Sequence, residues 1–288
     1  MRRSDRFVPY RLIAPALLIE AGLVLAPLAI GFYYSLHNVR FFRNRGFVGA
    51  GNYWRLLESD AVVNALIVTA VFTVVSLLLT FALGFALALH LERDSRMHVF
   101  MRAVVLVPYM IAMLVGSMLL KWVFAQESGL MPLLLGPFGL GESSILADPN
   151  GAMAALVFNA MWRDSAFAMI MLLAGLKSIP MQIFAAARVD GAGPLYRFWR
   201  ITLPLMRIPI LITMVRLFIH FVNILTMPLI LTGGGPGNAT ETLVLHMFRL
   251  GFQDHVLGTA NALAVLIFVA NLVLVALLLA LFRQNRRI

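Results

Sequence analysis

Hydrophobic residues along this chain gather into long runs separated by short polar segments rich in glycine and arginine. Six runs stand out, at residues 12–36, 61–90, 103–125, 151–176, 208–231 and 256–282. Each is long enough to carry a helix across a bilayer, which takes about 20 apolar residues. The pattern therefore predicts an all-α polytopic membrane protein with six transmembrane helices. A further apolar stretch at residues 130–140 is about half the required length, and Pro132, Gly136, Pro137 and Gly139 interrupt it. It is expected to be a loop folded against the membrane surface. No small-residue cleavage pattern follows the first run, so an uncleaved helix is expected there.

Composition agrees with this. Of 288 residues 61% are hydrophobic and 12% charged, against about 45–50% and about 25% in soluble domains. Cysteine is absent, which excludes disulfides, thiolate metal sites and a cysteine nucleophile. The six histidines form no HxxxH or HExxH pair, so no metal site is expected. A net charge of +10 would suggest nucleic acid in a soluble protein, but its distribution says otherwise. Fifteen Lys and Arg residues fall in the two tails and in the second and fourth loops, five fall in the opposite loops, and Lys121, Arg163 and Arg216 lie within crossings. The positive-inside rule then puts both termini, residues 1–11 and 283–288, in the cytoplasm on either side of a membrane domain at 12–282. The charge is mainly a topology signal, and no nucleic-acid partner is expected.

The fourth loop, residues 177–207, is too long for a bare connection. Its sequence alternates helix, break and helix. Ser178 is a candidate cap and Pro180 suits a first turn. Ala185, Ala186 and Ala187 favour helix and leave a thin surface that another protein can approach. Gly191 and Gly193 interrupt the helix and Pro194 restarts it. Asp190 could accept backbone N–H groups across that turn. The second half, residues 195–202, sets Tyr196 and Trp199 beside Arg197 and Arg200 as an amphipathic contact helix, ended by Leu203-Pro204. Composition alone also allows such a helix to rest on lipid headgroups.

The order of residues in this loop is more specific than its composition. Ala186-Ala187-Arg188-Val189-Asp190-Gly191-Ala192, followed by Phe198, Ile201, Leu203 and Pro204, resembles the EAA loop of ABC-importer permeases, the inner-membrane subunits of binding-protein-dependent uptake systems. Ala185 stands where that family usually has Glu. Gly49-Ala50-Gly51-Asn52-Tyr53 with Leu56 and Leu57 is similar to the first outside loop of the carbohydrate-uptake branch, which includes glycerol-3-phosphate. The segment Leu231-Thr232-Gly233-Gly234-Gly235-Pro236-Gly237 with Thr240 is similar to an outside loop of its MalF-like type. The resemblance implies a sugar or polyol-type solute and a loop that docks in a cleft of a cytoplasmic ATPase dimer. It further implies a second permease subunit, an extracytoplasmic solute-binding protein, and ATP and Mg used by the ATPase, with no cofactor on this chain. Ala186, Ala187, Asp190, Gly191, Ala192, Phe198, Leu203 and Pro204 would carry the coupling.

Polar groups inside the crossings are the other candidates, because ionisable residues are costly there. Asp164 lies roughly 18 Å, and His220 roughly 20 Å, from the cytoplasmic ends of crossings four and five at ~1.5 Å per residue, near the midplane. Arg216, His220 and Asn223 share one helix face, and Asn159, Trp162 and Arg163 cluster on crossing four. Asp164 with Arg216 or His220 suits an interhelical polar clamp. Asn159, Trp162 and Asn223 suit a solute path in which a ring stacks on a sugar and amides bond its hydroxyls. Gly84 and Ala88 suit close helix packing. Without Walker A, GxGxxG or a nucleophile motif, enzymatic chemistry is not expected. The alternative is an ion-coupled secondary transporter using Asp164 and His220 as a proton relay, although an ion-driven carrier has no need of the Asp-Gly loop.

Overall fold

The computed structural model describes residues 8–126, 129–135 and 144–284. Four uninterrupted apolar helices are long enough to span a bilayer: α1 (Val8–Ser35), α3 (Asp60–His90), α7 (Pro149–Lys177) and α13 (Leu257–Gln284). Two further spans are bent pairs. One joins α4 (Arg96–Met110) to α5 (Met113–Val123) at 92°, and the other joins the stretch Pro194–Leu205 to α11 (Arg207–Val222) at 66°. Counting each pair once gives the six expected spans.

The bends correct the reading of crossings three and five as continuous runs. Pro108 lies in the last turn of α4 and supplies no N–H. The backbone then turns extended at Ile111 and Ala112, with ψ of 136° and 134°. In crossing five α11 stops at Val222, where the Asn223 amide donates to the Ile219 carbonyl at 2.7 Å and so competes with the helical ladder. The chain recoils into a wide π-turn at Pro228–Thr232. The apolar stretch at 130–140 is also corrected in part. Leu130–Leu135 forms a short helix, α6, with Pro132 in the first turn where it is tolerated. Residues 136–140 lie outside the described set.

The described residues fall into two compact units. The first comprises residues 8–62 and 246–270. Here α1 is followed by a hairpin of β1 (His37–Arg40) and β2 (Arg43–Phe47), then α2 (Gly51–Leu57). The apolar runs gave no hint of these strands. Phe41 and Phe42 close the hairpin with φ of 48° and 60°, the geometry of a type I′ turn. Its tip is tied down by the Phe41 N–H donating to the His255 carbonyl at 2.9 Å. Asn52, from the glycine-rich outside motif, is fully buried. Its amide donates to the Ser35 and His37 carbonyls, and its oxygen accepts from Thr259. Gly258 lies against that site so closely that a Cβ would fall 2.3 Å from the His37 carbonyl oxygen.

The second unit comprises the remaining described residues and holds a contiguous core around α7 that includes Phe72, Leu156, Met169, Leu172, Leu217 and Phe221. Close approach to α7 depends on glycine. A Cβ on Gly84 of α3 would meet the Ala168 Cβ at 2.4 Å, and one on Gly175 would meet Pro209 at 2.6 Å. Ala88 is also fully buried. In the glycine-rich segment after crossing five, Gly233, Gly234 and Gly237 all take positive φ, and the Gly235-Pro236 bond is cis. Buried Thr240 donates to the Gly235 carbonyl at 2.7 Å and to the Thr232 hydroxyl at 2.8 Å, which fixes the loop's shape. Two other wide π-turns, at Phe198–Thr202 and Arg249–Gln253, occur among the described residues.

Candidate functional site

Two places gather the chemistry anticipated from sequence: the loop between α7 and α11, and a charge cluster on the membrane-spanning helices.

The loop runs from the end of α7 at Lys177 to the start of α11 at Arg207. Ser178 does not cap the loop helix. It ends α7, its hydroxyl donating to the Gly175 carbonyl at 2.7 Å, while Pro180 occupies the cap position of α8 (Met181–Val189). Nor does the Asp190 carboxylate bridge the turn. The turn closes through backbone alone: the Ala192 N–H donates to the Ala187 carbonyl at 2.9 Å and the Gly191 N–H to the Arg188 carbonyl at 3.1 Å. These are the paired bonds of a Schellman termination, with Gly191 in the left-handed conformation at φ 76°. A side-chain bridge is unnecessary once a glycine supplies that conformation. The chain resumes as α9 (Pro194–Arg197), passes through the Phe198–Thr202 turn and continues into α10 (Leu203–Leu205). Leu203-Pro204 therefore does not end the second helix. The wide turn, with the Leu203 N–H reaching back to the Phe198 carbonyl, makes room for the Pro204 ring, and the break falls at Met206.

Ala187 is the buried residue of α8, whereas Ala185, Ala186 and Val189 (89% exposed) face outward. Phe198 packs edge-on to Trp199 and against Phe85 of α3 at 5.9 Å, which ties the loop to the membrane helices. Leu203 is half-buried and Pro204 exposed. Asp190, Gly191, Ala192, Gly193, Tyr196 and Arg200 line a hollow of about 530 Å³ inside the elbow.

A latch beside this loop was not anticipated. Arg102 donates to the Leu91, Glu92 and Arg93 carbonyls, which end α3, and pairs with Asp94 at 3.1 Å. Lys177 pairs with the same carboxylate. The bond from Lys177, and then that from Arg102, hold the Asp94 carboxyl below its ordinary value of 3.8. Both cations appeared in the sequence only as topology charges. What joins them is an acid in the turn, a pairing no local pattern announces.

Within the membrane helices, Asp164, Arg216 and His220 do come together. Arg216 Nη1 lies 3.7 Å from one carboxylate oxygen and His220 Nε2 3.4 Å from the other. These are ion-pair distances too long for direct hydrogen bonds, and both carboxylate oxygens lack one. Asp164 is 1% exposed, whereas the Arg216 side chain is 35% exposed. Two aromatic residues complete the cluster. The Arg216 guanidinium lies 4.1 Å from the Phe167 ring centre and donates to the Tyr109 hydroxyl at 3.4 Å. Arg163, also over Tyr109, donates to the Ile111 carbonyl at 2.8 Å. It thereby satisfies a carbonyl freed by the bend between α4 and α5, as buried backbone in lipid requires. The helical spacings of Arg163 to Phe167 and Arg216 to His220 put both pairs in reach of sequence analysis, but Tyr109 enters only through the bend.

Arg216 and His220, with Leu211, Ile212, Val215 and Ile219, line an open cavity of about 520 Å³. Asn223 is exposed one turn further on, its side-chain oxygen accepting from Asn271 at 3.1 Å. Trp162 is half-buried beside Gly116. Asn159 is 1% exposed and donates to the Ser117 hydroxyl at 3.0 Å, so it is enclosed between helices. Glu20 and Lys121 are exposed on α1 and α5. No cluster of three or more metal-ligating side chains occurs among the described residues.

Apolar spans, bent where polar groups gather, and a long jointed loop between two of them define a multi-pass membrane transport protein. Residues 79–287 match the family described as binding-protein-dependent transport system inner membrane component, and the chain belongs to that family. It is a permease subunit of an ABC importer of the inner membrane, and not an enzyme. It is 30% identical to the trehalose/maltose transport system permease protein MalF of Thermococcus litoralis over 96% of this chain and 94% of the relative. It is likewise 30% identical to the sulfoquinovosyl glycerol transport system permease protein SmoG of Agrobacterium fabrum, over 98% and 92%. The fold is similar to that of a chain in a bacterial ABC transporter that imports the acidic polysaccharide alginate, with TM-score 0.86, 22% identity and coverage of 98% and 96%. Family membership leaves the ion-coupled alternative without support.

Proposed function

We propose that this permease carries a sugar or sugar-derived solute, pairs with a second permease subunit, and is driven by a cytoplasmic ATPase dimer that binds ATP and Mg. The names of its relatives support the solute class, since they cover trehalose and maltose, sulfoquinovosyl glycerol and sn-glycerol-3-phosphate. The observation that carries the coupling is the elbow of the 177–207 loop. A Schellman turn at Gly191 fixes the angle between two helices, the outer face of α8 stays free for a partner, and Phe198 anchors the loop to α3. A rigid joint of this kind can pass a push from an ATPase into the membrane helices. Basic loops place this elbow and both termini in the cytoplasm.

Asp164, Arg216 and His220 act as the clamp between α7 and α11, with Arg216 and His220 also facing the cavity. Asn223 and Trp162 are the remaining candidates for the solute path, while Asn159 serves helix packing. The bent spans let this region exchange between two arrangements, biased from one side by nucleotide and from the other by a loaded binding protein. The test is to reconstitute the chain with its candidate partners and ask whether sugar-loaded binding protein stimulates ATP hydrolysis. Uptake that follows a proton gradient without ATP would overturn the proposal.

A further inference from the structure

Above the inner face of α8 lies a groove of about 840 Å³, separate from the elbow hollow. It is bounded by the end of α3, the turn after it, the end of α7 and the jointed loop. Leu89, Leu176, Ile179 and Phe184 give it apolar walls, while Arg93, Lys177, Arg188 and Arg197 bring four cations against two acids, Glu92 and Asp94. The acids do not neutralise the cations. Asp94 is taken by Lys177 and Arg102, and no ion pair among the described residues engages Arg93, Arg188 or Arg197. The Arg197 Nε is buried without a hydrogen-bond partner. Met181, Phe184 and Arg188 line the groove from one face of α8, whereas Gln182, Ala185, Ala186 and Val189 are exposed around the remainder of the helix. A protein seated on that exposed surface leaves the groove free.

We infer that this groove binds an anionic phospholipid of the cytoplasmic leaflet, its phosphate held by Arg188 and Arg197 and its glycerol and upper acyl carbons lying on Leu89, Leu176 and Phe184. The chemistry requires an amphiphile. Guanidinium forks match phosphate oxygens, and basic pockets beside helix ends on the cytoplasmic side suit anionic headgroups, whereas a free anion would leave the apolar walls wet. The bound lipid would join the ends of α3 and α7 to the coupling loop. The inference rests on the proposed topology, which puts this loop at the cytoplasmic surface.

The full chain, purified in detergent, is titrated with phosphatidylglycerol or phosphatidylcholine, and bound lipid is counted by native mass spectrometry. Phosphatidylglycerol should bind at least about tenfold tighter than phosphatidylcholine. R188Q/R197Q, with an unchanged thermal melt, should lose roughly 30-fold in phosphatidylglycerol affinity with phosphatidylcholine unaffected, and R188K/R197K should recover most of the loss. Equal binding of the two lipids, or unchanged phosphatidylglycerol binding by R188Q/R197Q, overturns the inference. Displacement of the lipid by low-millimolar inorganic phosphate would reassign the site to a free anion. Loss of the ATPase from R188Q/R197Q with lipid affinity intact would reassign it to a protein segment. The lipid readout needs neither ATP nor solute, so failure of the importer proposal would leave it unmoved, and failure of lipid binding would leave solute-stimulated hydrolysis intact.

Discussion

The clamp makes an asymmetric prediction. At 3.7 Å and an effective dielectric of ~20, Asp164 and Arg216 attract by about 4.5 kcal/mol, and desolvating the carboxylate consumes several kcal/mol of that. Removing either partner is therefore not equivalent. In Asp164→Asn, Arg216 keeps the Phe167 face and the Tyr109 hydroxyl and is partly solvated, so the loss should be about 1–2 kcal/mol, the cation–π contact offsetting part of the missing charge. In Arg216→Gln, a carboxylate that is 1% exposed keeps only His220, and the cost should approach about 3–5 kcal/mol. The double variant should be more stable than Arg216→Gln alone, because it removes the stranded charge as well. Equilibrium unfolding of the purified chain in mixed micelles measures all three. A result in which Asp164→Asn costs as much as Arg216→Gln, or in which the two effects simply add, would refute the clamp. Uptake supplies the second arm: if Asp164→Asn abolishes transport while the assembled complex and its basal ATP hydrolysis stay normal, Asp164 acts on solute.

Three further outcomes are expected. Gly191→Ala forces a Cβ into a left-handed conformation with open space around it, so it should cost only about 1 kcal/mol yet lower solute-stimulated ATP hydrolysis by loosening the elbow. Gly84→Ala should destabilise by about 1–3 kcal/mol in the same unfolding assay, with partial rescue by Ala168→Gly, since Ala168 Cβ is the nearest atom while the Ser165 carbonyl remains at 3.0 Å. The Asp94 latch should be indifferent to pH near neutrality. Its acid titrates below 3.8, so the latch's stabilisation is present above that value and is lost as pH falls through the lowered native one. Hydrogen exchange over residues 91–95, corrected for intrinsic rate, should stay flat until acid conditions in the native chain and be fast at every pH in Asp94→Asn.

The number of spans and the long loop between the fourth and fifth were legible in sequence because both depend on local pattern: apolar run length, and glycine and proline spacing. Where a span stops being straight was not. Pro108 and Asn223 are visible in the sequence, but whether such residues bend a helix depends on what receives the freed carbonyls, and Arg163 reaches Ile111 from 52 positions away. Asp164, Arg216 and His220 were legible because charge in an apolar run is conspicuous, whereas Tyr109 and Phe167, which hold Arg216, look like ordinary membrane aromatics. Asn159 misled for the complementary reason: an amide in a crossing looks available until its neighbour, Ser117, is known. The hairpin at residues 37–47 was hidden because its turn is Phe41-Phe42, without the asparagine or glycine that usually marks such a turn.

The wide turns at Phe198–Thr202, Pro228–Thr232 and Arg249–Gln253 set the angular phase of the chain on their C-terminal side. Each holds one residue more than a regular turn would, and one residue of helix corresponds to a rotation of about 100°. Deleting a residue from Phe198–Thr202 would leave a better-formed helix, with stronger bonds and no swelling. Side chains beyond the deletion would nevertheless be swung by more than a quarter turn relative to those before it. Arg216 and His220 would no longer point where Asp164 is. The irregular turn thus acts as a reading frame for the helix, and regularising it would shift the frame.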